Sequence, residues 1–229
     1  MALIAKSDND YTTTRFTNMA DEIKMKVCGM REGNNILEVS LLQPHYMGFI
    51  FYSRSPRYVG DDFRIPEDFP AATKKVGVFV DETTDEILKK VDACRLDFVQ
   101  LHGNEMAEQC ADIKRRGIGV IKVLSVDDET DFRQTEIYRD VVDYFLFDTK
   151  GKYYGGNAAT FDWNILSRYD QKVPFFLSGG ITPAHIGEIK KLKDYNLLAI
   201  DVNSGVEIRT AFKDPGKIKA IMTKLKSKQ

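Results

Sequence analysis

Cysteine and histidine are scarce in this chain, and their scarcity excludes several classes of protein. The 229 residues include three cysteines and three histidines. Cys28, Cys94 and Cys110 are too few and too widely spaced to form a disulfide framework or a zinc knuckle. The histidines show no HExxH or related spacing, so we expect no metal site. Unpaired cysteines also favour a reducing, cytoplasmic environment.

The chain also lacks an excess of charge of either sign and any long apolar run. Its 33 Lys and Arg residues against 34 Asp and Glu residues give a net charge of -1. That balance provides no general basic field for nucleic acid or for an anionic membrane. No apolar run reaches the roughly 18 residues of a membrane-spanning helix, and residues 1–23 lack the apolar core of a signal peptide. We therefore expect neither a nucleic-acid partner nor a membrane partner.

Eight short segments rich in β-branched and aromatic residues predict strands. Several are almost continuously apolar, which is typical of parallel strands buried on both faces. Successive segments start 22 to 31 residues apart, which leaves room for the crossover that each parallel pair requires. The predicted strands are residues 24–28, 46–52, 75–80, 97–101, 119–124, 143–147, 174–178 and 197–202.

Most of the segments between the predicted strands have the pattern of amphipathic helices. Apolar residues recur on one face of residues 85–96. In residues 104–116, Asn104 is placed to cap a helix, whose inward face would consist of Met106, Cys110 and Ile113. Both segments therefore predict helices packed against the strands.

Proline marks three further intervals. Thr182 followed by Pro183 has the pattern of a cap and a first helical residue, and predicts a helix start. Residues 213–226 form the final amphipathic helix. Residues 61–74, in contrast, contain Pro66 and Pro70, so we expect irregular structure or a very short helix there.

Alternating strands and helices predict an α/β fold, and within that class a single (β/α)8 TIM barrel. The alternative is an open doubly wound sheet, but the first strand–helix junction, CGMREG, lacks the GxGxxG fingerprint of that fold. The glycine-rich junctions follow strands seven and eight instead, where such barrels often hold phosphate. We predict a catalytic barrel domain over residues 24–229. The polar residues 1–23 would be a short N-terminal extension, either a flexible arm or a cap over the amino-terminal face.

The residues that follow the predicted strands resemble one family of enzymes, in the family's own order. The matching motifs are KVCGM at 26–30, GFIFYSRSPRYV at 48–59, VGVFV at 76–80, VQLHGNE at 99–105, FLFDTK at 145–150, YGG at 154–156, FDW at 161–163, LSGGITP at 177–183 and IDVNSGVE at 200–207. This series is similar to the phosphoribosylanthranilate isomerases of tryptophan biosynthesis, from residue 24 to the end of the chain. One departure is YGGNAAT at 154–160, where a GGTG-like loop is usual, so the loop over the substrate is expected to close differently.

The resemblance implies an isomerase that carries out an Amadori rearrangement. Its small-molecule substrate is the phosphosugar N-(5-phospho-β-D-ribosyl)anthranilate, and its product is 1-(2-carboxyphenylamino)-1-deoxy-D-ribulose 5-phosphate. An acid must protonate the furanose ring oxygen as the ring opens to a Schiff base, and a base must remove the C2 proton. The reaction requires no metal and no cofactor. The chain is expected to act as a monomer or a homodimer.

The resemblance assigns the role of general base to Cys28 and that of general acid to Asp148. Taken alone, a cysteine at a strand end is more often a small buried hydrophobe, and an aspartate there more often accepts hydrogen bonds from a loop. A free cysteine thiol has a pKa of about 8.5, so a base role needs a neighbouring group that stabilises the thiolate. An acid role needs surroundings that favour the protonated carboxyl, which the apolar residues 145–147 would provide.

Two glycine-containing loops are candidates for binding the substrate's phosphate. Gly179 and Gly180 allow backbone N–H groups to approach an anion, and Ser204 and Gly205 follow the last strand. A glycine pair is usually only a turn. Its position after the last two strands of a barrel favours phosphate binding.

An arginine after the second strand is the candidate for binding the anthranilate carboxylate. Arg57 lies in the family motif SPR, and a guanidinium matches the bidentate geometry of a carboxylate; Arg54 is the less favoured neighbour. Gln100 and His102 are left outside the catalytic set, and Asp201 is interpreted as a structural residue or a contact for a sugar hydroxyl.

Two other functions remain open. The first is another sugar-phosphate barrel enzyme, such as indole-glycerol-phosphate synthase or ribulose-phosphate epimerase. The synthase would need a lysine and a glutamate at strand ends, whereas Lys122 lies inside the fifth strand without a matching glutamate. The epimerase would need paired metal-binding histidines and aspartates. The second is a non-catalytic phosphate-binding barrel, against which the presence of both Cys28 and Asp148 counts.

Overall fold

Eight parallel strands form a closed barrel in the computed structural model, which describes residues 22–149 and 162–227. The strands are β1 Lys24–Val27, β2 Tyr46–Ile50, β3 Lys74–Phe79, β4 Phe98–Leu101, β5 Gly119–Val126, β6 Tyr144–Thr149, β7 Phe175–Leu177 and β8 Leu197–Val202. Each strand pairs with the next along the chain, and β8 pairs with β1 to complete the ring. The predicted α/β barrel and all eight predicted strands are confirmed.

Two features of the sequence prediction lie outside the described residues. Residues 1–21 make up most of the predicted N-terminal extension, and residues 154–160 are the glycine loop. The division of the chain at residue 24 therefore stays a prediction.

Helices cover the outside of the barrel. They are α1 Gly33–Ser40, α2 Thr84–Cys94, α3 Ala107–Arg115, α4 Ile186–Ile189 and α5 Pro215–Lys226. Thr83 caps α2 by accepting a hydrogen bond from the N–H of Glu86, and Asp214 caps α5, which starts with a proline as its sequence predicts. A short antiparallel hairpin, β9 Glu207–Arg209 and β10 Phe212–Lys213, precedes α5. Across residues 22–149 and 162–227, no helix combines the length and apolar character that crossing a membrane requires.

The barrel interior is apolar at its centre and becomes polar towards the carboxyl ends of the strands. Side chains alternate along a strand, so every second residue points inward. Inward residues of six strands pack together as one apolar layer, formed by Tyr46, Val76, Ile121, Val123, Leu146, Phe176 and Ala199. Above it lie Cys28, Ile50 and Val78. Continuing the alternation by two residues brings Gln100, Asp148, Ser178 and Asp201 to the same end of the barrel.

The crossovers between the strands follow the predicted pattern only in part. The segment between β2 and β3 contains no helix, as Pro66 and Pro70 predict. The crossovers from β5 and from β6 contain 3-10 helices, Phe132–Tyr138 and Trp163–Arg168. The helix predicted to open at Thr182 starts at Ile186 and continues after one turn as a 3-10 segment, Lys190–Asp194. Thr182 still accepts a hydrogen bond from the N–H of Ala184 at 3.3 Å.

The predicted start of the third helix is wrong. Asn104 does not cap α3; its backbone N–H donates to Asp81 Oδ1 at 2.6 Å. Met106 occupies the capping position and is 68% exposed rather than inward-facing. The reason is Glu105, whose buried carboxylate accepts hydrogen bonds from the N–H groups of Gly103 and Asp81. These bonds hold residues 103–105 in a loop, so α3 starts only at Ala107. Cys110 and Ile113 are buried as predicted.

Candidate active site

A pocket opens at the carboxyl ends of the strands. Cys28 and Asp148 face it from the ends of β1 and β6, and the loops after β7 and β8 form another part of its wall. Six of the seven predicted site residues line this pocket, namely Cys28, Asp148, Gly179, Gly180, Ser204 and Gly205. Tyr52, Ser55, Gln100, His102, Asp201 and Asn203 also line it.

Cys28 lies at the buried floor of the pocket. Its N–H donates to the carbonyl of Val202 at 2.8 Å, which ties the end of β1 to β8. Burial raises the pKa of the Cys28 thiol, while the nearby ammonium group of Lys26 acts in the opposite direction. Lys26 in turn donates to both carboxylate oxygens of Asp201 at 3.0 Å. The thiol is therefore a buried group next to a buried ion pair.

Asp148 faces a histidine across the pocket. Nε2 of His102 lies 3.5 Å from Oδ2 of Asp148, and Nδ1 of the same ring lies 3.4 Å from Nε2 of Gln100. Oε1 of Gln100 is buried and has no hydrogen-bond partner among the described residues. The three side chains form a row from β4 to the end of β6.

The two glycine loops have backbone geometry suited to an anion. Gly179 and Gly180 have φ values of +102° and +57°, in the left-handed region that favours glycine. A Cβ at Gly179 would collide with Oγ1 of Thr149, and one at Gly205 would collide with the carbonyl of Ile181. The loops after β7 and β8 are thus in contact. In residues 22–149 and 162–227, no hydrogen bond is donated by the N–H group of Gly179 or Gly180.

Arg57 is buried beside the pocket and does not line it. Its Nε and Nη2 donate to the two carboxylate oxygens of Glu207 at 2.8 and 2.7 Å. Lys213 donates to the same carboxylate at 2.7 Å and to Oδ1 of Asn203 at 2.6 Å. Burial would raise the pKa of Glu207, but Arg57 and Lys213 outweigh it and lower that pKa. Burial lowers the pKa of Lys213 to about 8. The bidentate face of Arg57 is therefore occupied by Glu207, and its role as a carboxylate ligand stays a prediction.

The sequence interpretation missed one buried residue and left three pocket residues outside the catalytic set. Lys26 was not singled out, although it lies two residues before Cys28 and so shares its inward face. Gln100 and His102 line the pocket, and Asp201 is both a pocket residue and the counter-ion of Lys26. The available signal for Lys26 was its position two residues before Cys28, at an inward position of the same strand.

The described residues offer no cluster suited to a metal ion: no group of three or more His, Cys, Asp or Glu side chains converges in them. His45 accepts from the N–H of Met25 at 3.2 Å at the opposite end of the barrel, and Nδ1 of His185 contacts Thr182. Only His102 of the three histidines lines the pocket.

A family model and a close relative identify where this chain belongs. The model described as N-(5'phosphoribosyl)anthranilate (PRA) isomerase matches residues 25–224. A relative from Phocaeicola vulgatus, named N-(5'-phosphoribosyl)anthranilate isomerase, is 43% identical over 204 residues. That match covers 89% of this chain and 98% of the relative.

Solved structures extend the similarity to the fold. The crystal structure of phosphoribosyl anthranilate isomerase from Thermotoga maritima matches with a TM-score of 0.77 and 33% identity, over 89% of this chain and 98% of that one. A phosphoribosyl anthranilate isomerase in complex with reduced 1-(o-carboxyphenylamino)-1-deoxyribulose 5-phosphate matches with a TM-score of 0.75 and 31% identity, over the same shares. The likeness therefore spans the barrel and its loops.

Proposed function

The chain belongs to the N-(5'-phosphoribosyl)anthranilate isomerase family, and we propose that its pocket catalyses the Amadori rearrangement of N-(5-phospho-β-D-ribosyl)anthranilate in tryptophan biosynthesis. The enzyme is an isomerase, and its product is 1-(2-carboxyphenylamino)-1-deoxy-D-ribulose 5-phosphate. One observation supports the division of roles. Cys28 and Asp148 face the same pocket from β1 and β6, two strands that are not neighbours in the ring.

Asp148 is the proposed acid that opens the sugar ring. Its proton goes to the furanose oxygen as the bond between that oxygen and C1 breaks, which leaves a Schiff base and an aspartate anion. Asp148 is largely buried at the end of β6, where low solvent access strengthens its interaction with a developing charge. His102, at 3.5 Å, holds the carboxyl in place.

Cys28 is the proposed base for the second stage. Its thiolate removes the proton from C2, which gives an enolamine, and the resulting thiol returns a proton to C1. The C2 hydroxyl then becomes the ketone by giving its proton to the Asp148 anion. Both side chains end in their starting forms, and the hydrogens of substrate and product balance. General acid and base groups of this kind typically contribute about 10² to 10⁴ each to the rate.

The anionic ends of the substrate have two proposed binding regions. The phosphate binds to the loops that contain Gly179–Gly180 and Ser204–Gly205, which both line the pocket. The left-handed Gly179 and Gly180 donate no hydrogen bond to the described residues, so their N–H groups can donate to an anion. Arg57 is proposed for the anthranilate carboxylate. Its Nη1 makes neither of the two bonds to Glu207, so it can donate to a carboxylate without breaking that pair.

The alternative barrel functions have less support from the site. Lys122 has the outward register of its strand and donates to Glu105 at 2.8 Å, so it does not reach the pocket as a synthase lysine would. The three histidines lie at separate places in the barrel, unlike the converging ligands of a metal-dependent epimerase. A barrel that only bound phosphate would need neither Cys28 nor Asp148.

Loss of substrate fluorescence tests the proposed function. Purified protein added to freshly made phosphoribosylanthranilate should remove the anthranilate fluorescence far faster than the substrate decays alone. Cys94→Ala, which changes a buried cysteine on α2, should behave like wild type. If wild-type protein leaves the decay rate unchanged, the proposed function is wrong.

A further inference from the structure

Three buried titratable side chains meet beneath the floor of the pocket. Lys26 and Cys28 lie two residues apart on the inward face of β1, and Asp201 is the register partner of Lys26 on β8. Lys26 is 0% exposed and Asp201 6%. The ammonium lies 3.0 Å from each Asp201 oxygen. The ion pair is therefore centred directly below the proposed base.

A glycine on the neighbouring strand makes room for this arrangement. A Cβ at Gly48 of β2 would lie 2.8 Å from Sγ of Cys28 and 3.2 Å from Nζ of Lys26. Both atoms therefore crowd the same side of Gly48, where any larger residue would push them away. The ammonium of Lys26 thus has two potential anions beside it, the Asp201 carboxylate and the Cys28 sulfur.

The charges around this cluster favour one anion and disfavour two. Burial raises the pKa of both Cys28 and Asp201, and Lys26 lowers each of them. One buried cation balances one buried anion, but a second anion would be uncompensated. Lys213 on β10 also favours the thiolate, whereas Asp148 on β6 disfavours the Asp201 carboxylate and His102 favours it. From β2 the neighbours are Gly48 and Ile50, which do not titrate.

We propose that Lys26 is a positioning residue that carries the Cys28 proton to Asp201, so that the thiolate base forms without a change of net charge in the buried cluster. The ammonium gives one proton to the Asp201 carboxylate and takes the proton of the thiol. The products are an ammonium, a carboxylic acid and a thiolate, and no other bond changes. The proposal rests on the proposed function, because it supplies the base which that reaction needs.

The relay and a purely structural ion pair make different predictions for the two partners. A fixed ion pair that only held β1 against β8 would also shift Cys28 through its charges, because Lys26 favours the thiolate and Asp201 competes with it for the single cation. In the relay Asp201 has a second role, since it accepts the proton. Asp201→Asn should therefore lower kcat by about tenfold or more although it lowers the midpoint, whereas a fixed pair predicts a kcat no lower than that of the chain with Asp201 intact.

The test is the pH dependence of Cys28 alkylation by iodoacetamide. The background is Cys94→Ala/Cys110→Ala, which leaves Cys28 as the only one of the three cysteines. In this background Lys26→Met should raise the midpoint by about one pH unit or more, and Asp201→Asn should lower it by a similar amount, the shift typical of one charge within about 4–6 Å. For Lys26→Met, kcat should fall by about 10², while affinity for the reduced product analogue changes less than about threefold.

Lys122→Met is the matched control. Lys122 is also buried, at 2% exposure, and is paired with a buried carboxylate at 2.8 Å, but its partner is Glu105. It should lower the melting temperature without moving the Cys28 midpoint. Midpoints that stay fixed, or that move in the same direction in Lys26→Met and Asp201→Asn, would overturn the relay.

Two outcomes have separate meanings. If Lys26→Met does not fold, Asp201→Asn decides alone: a lower midpoint together with a lower kcat supports the relay, and an unchanged or higher midpoint, or a kcat equal to that of the background, rejects it. If the wild-type background fails to consume substrate, the proposed function is wrong. If it consumes substrate but the midpoints shift in the wrong direction, only the relay is wrong.

Discussion

Cys28 contributes a single sulfur atom to the pocket, so its replacement by alanine tests the base with little change of volume. Cys28→Ala should lower kcat by about 10² or more, because no other group would take the C2 proton. The fold and the inhibition by inorganic phosphate should remain close to wild type. Steady-state kinetics measure kcat, and the inhibition constant of phosphate measures whether the pocket keeps its shape. A variant that retained more than about a tenth of the wild-type kcat would contradict the assignment of Cys28.

Asp148 offers a sharper test, because asparagine preserves its shape but cannot donate an acidic proton. Asp148→Asn should lower kcat by about 10² or more, and binding of the reduced product analogue should change far less. Removal of the charge next to Asp201 also affects the Cys28 cluster, so alkylation of Cys28 should be measured in parallel. If Asp148→Asn turned over like wild type, the acid would lie elsewhere, and Asp201 would be the next residue to replace.

Motifs pointed to the pocket residues at the strand ends better than to the buried lysine beside them. Cys28 and Asp148 were found because each ends a strand within a family motif, and strand ends meet at one face of a barrel. Lys26 was missed because a lysine in a strand is usually placed at the surface. Its burial depends on Asp201, which is its neighbour only when the ring is closed. Pattern along the chain carries no information about such a partner.

The loop after β7 is the element on which the proposed phosphate binding depends. Gly179→Ala should raise the inhibition constant of inorganic phosphate by about tenfold, because φ of +102° strains any other residue by about 1–3 kcal/mol and the new Cβ meets Thr149. Gly187→Ala on α4 is the control, since its Cβ would meet nothing within 4 Å. Equal inhibition constants in the two variants would show that the phosphate does not bind at this loop.

The β9–β10 hairpin is held by Glu207 between two buried cations. Glu207→Gln should lower the free energy of unfolding at pH 7 by about 3 kcal/mol, since Arg57 and Lys213 would lose their counter-charge. The folded state lowers the pKa of Glu207, so its stabilising contribution is fully present above the unfolded pKa, about 4.3, and is lost as the pH falls below it.

Urea unfolding of Glu207→Gln and wild type at neutral and acidic pH measures this contribution. The difference in free energy of unfolding between the two proteins should be smaller at acidic pH. Glu188→Gln, which changes an exposed pair with Lys191, should have little effect at either pH. A constant difference between Glu207→Gln and wild type at all pH values would contradict the role of the charge.

The regular elements were predictable where local pattern decides them, and not where distant contacts do. Apolar runs located all eight strands, and proline favoured irregular structure or at most a very short helix between β2 and β3, where no helix is present. The start of α3 was misplaced because Glu105 bends the chain through bonds to Asp81 and Gly103 and an ion pair with Lys122. Two of those partners, Asp81 and Lys122, come from other parts of the sequence, so capping preferences alone could not predict the loop.

At the scale of the whole molecule, the barrel should function without the first 21 residues. A chain that starts at residue 22 should melt within about 2 °C of the full chain and keep its kcat, because the family match begins at residue 25 and every residue that lines the pocket follows it. Removal of α5 is the contrasting control, since Ile218 and Ile221 are buried, and it should abolish folding. A large loss of stability in the chain that starts at residue 22 would place the extension within the barrel domain.

The contact between Lys26 and Asp201 joins residues 175 positions apart, and this separation sets the order in which a newly made chain acquires its chemistry. Synthesis starts from the end that carries Cys28, while β8, which supplies the counter-ion of Lys26, is made after nearly nine-tenths of the chain. Until β8 pairs with β1, the Cys28 thiol has the pKa of a free cysteine, about 8.5. An unfinished chain therefore carries a thiol that ionises more readily than the folded one, whose pKa is raised by burial, and closure of the ring shields that sulfur and places it beside the paired lysine.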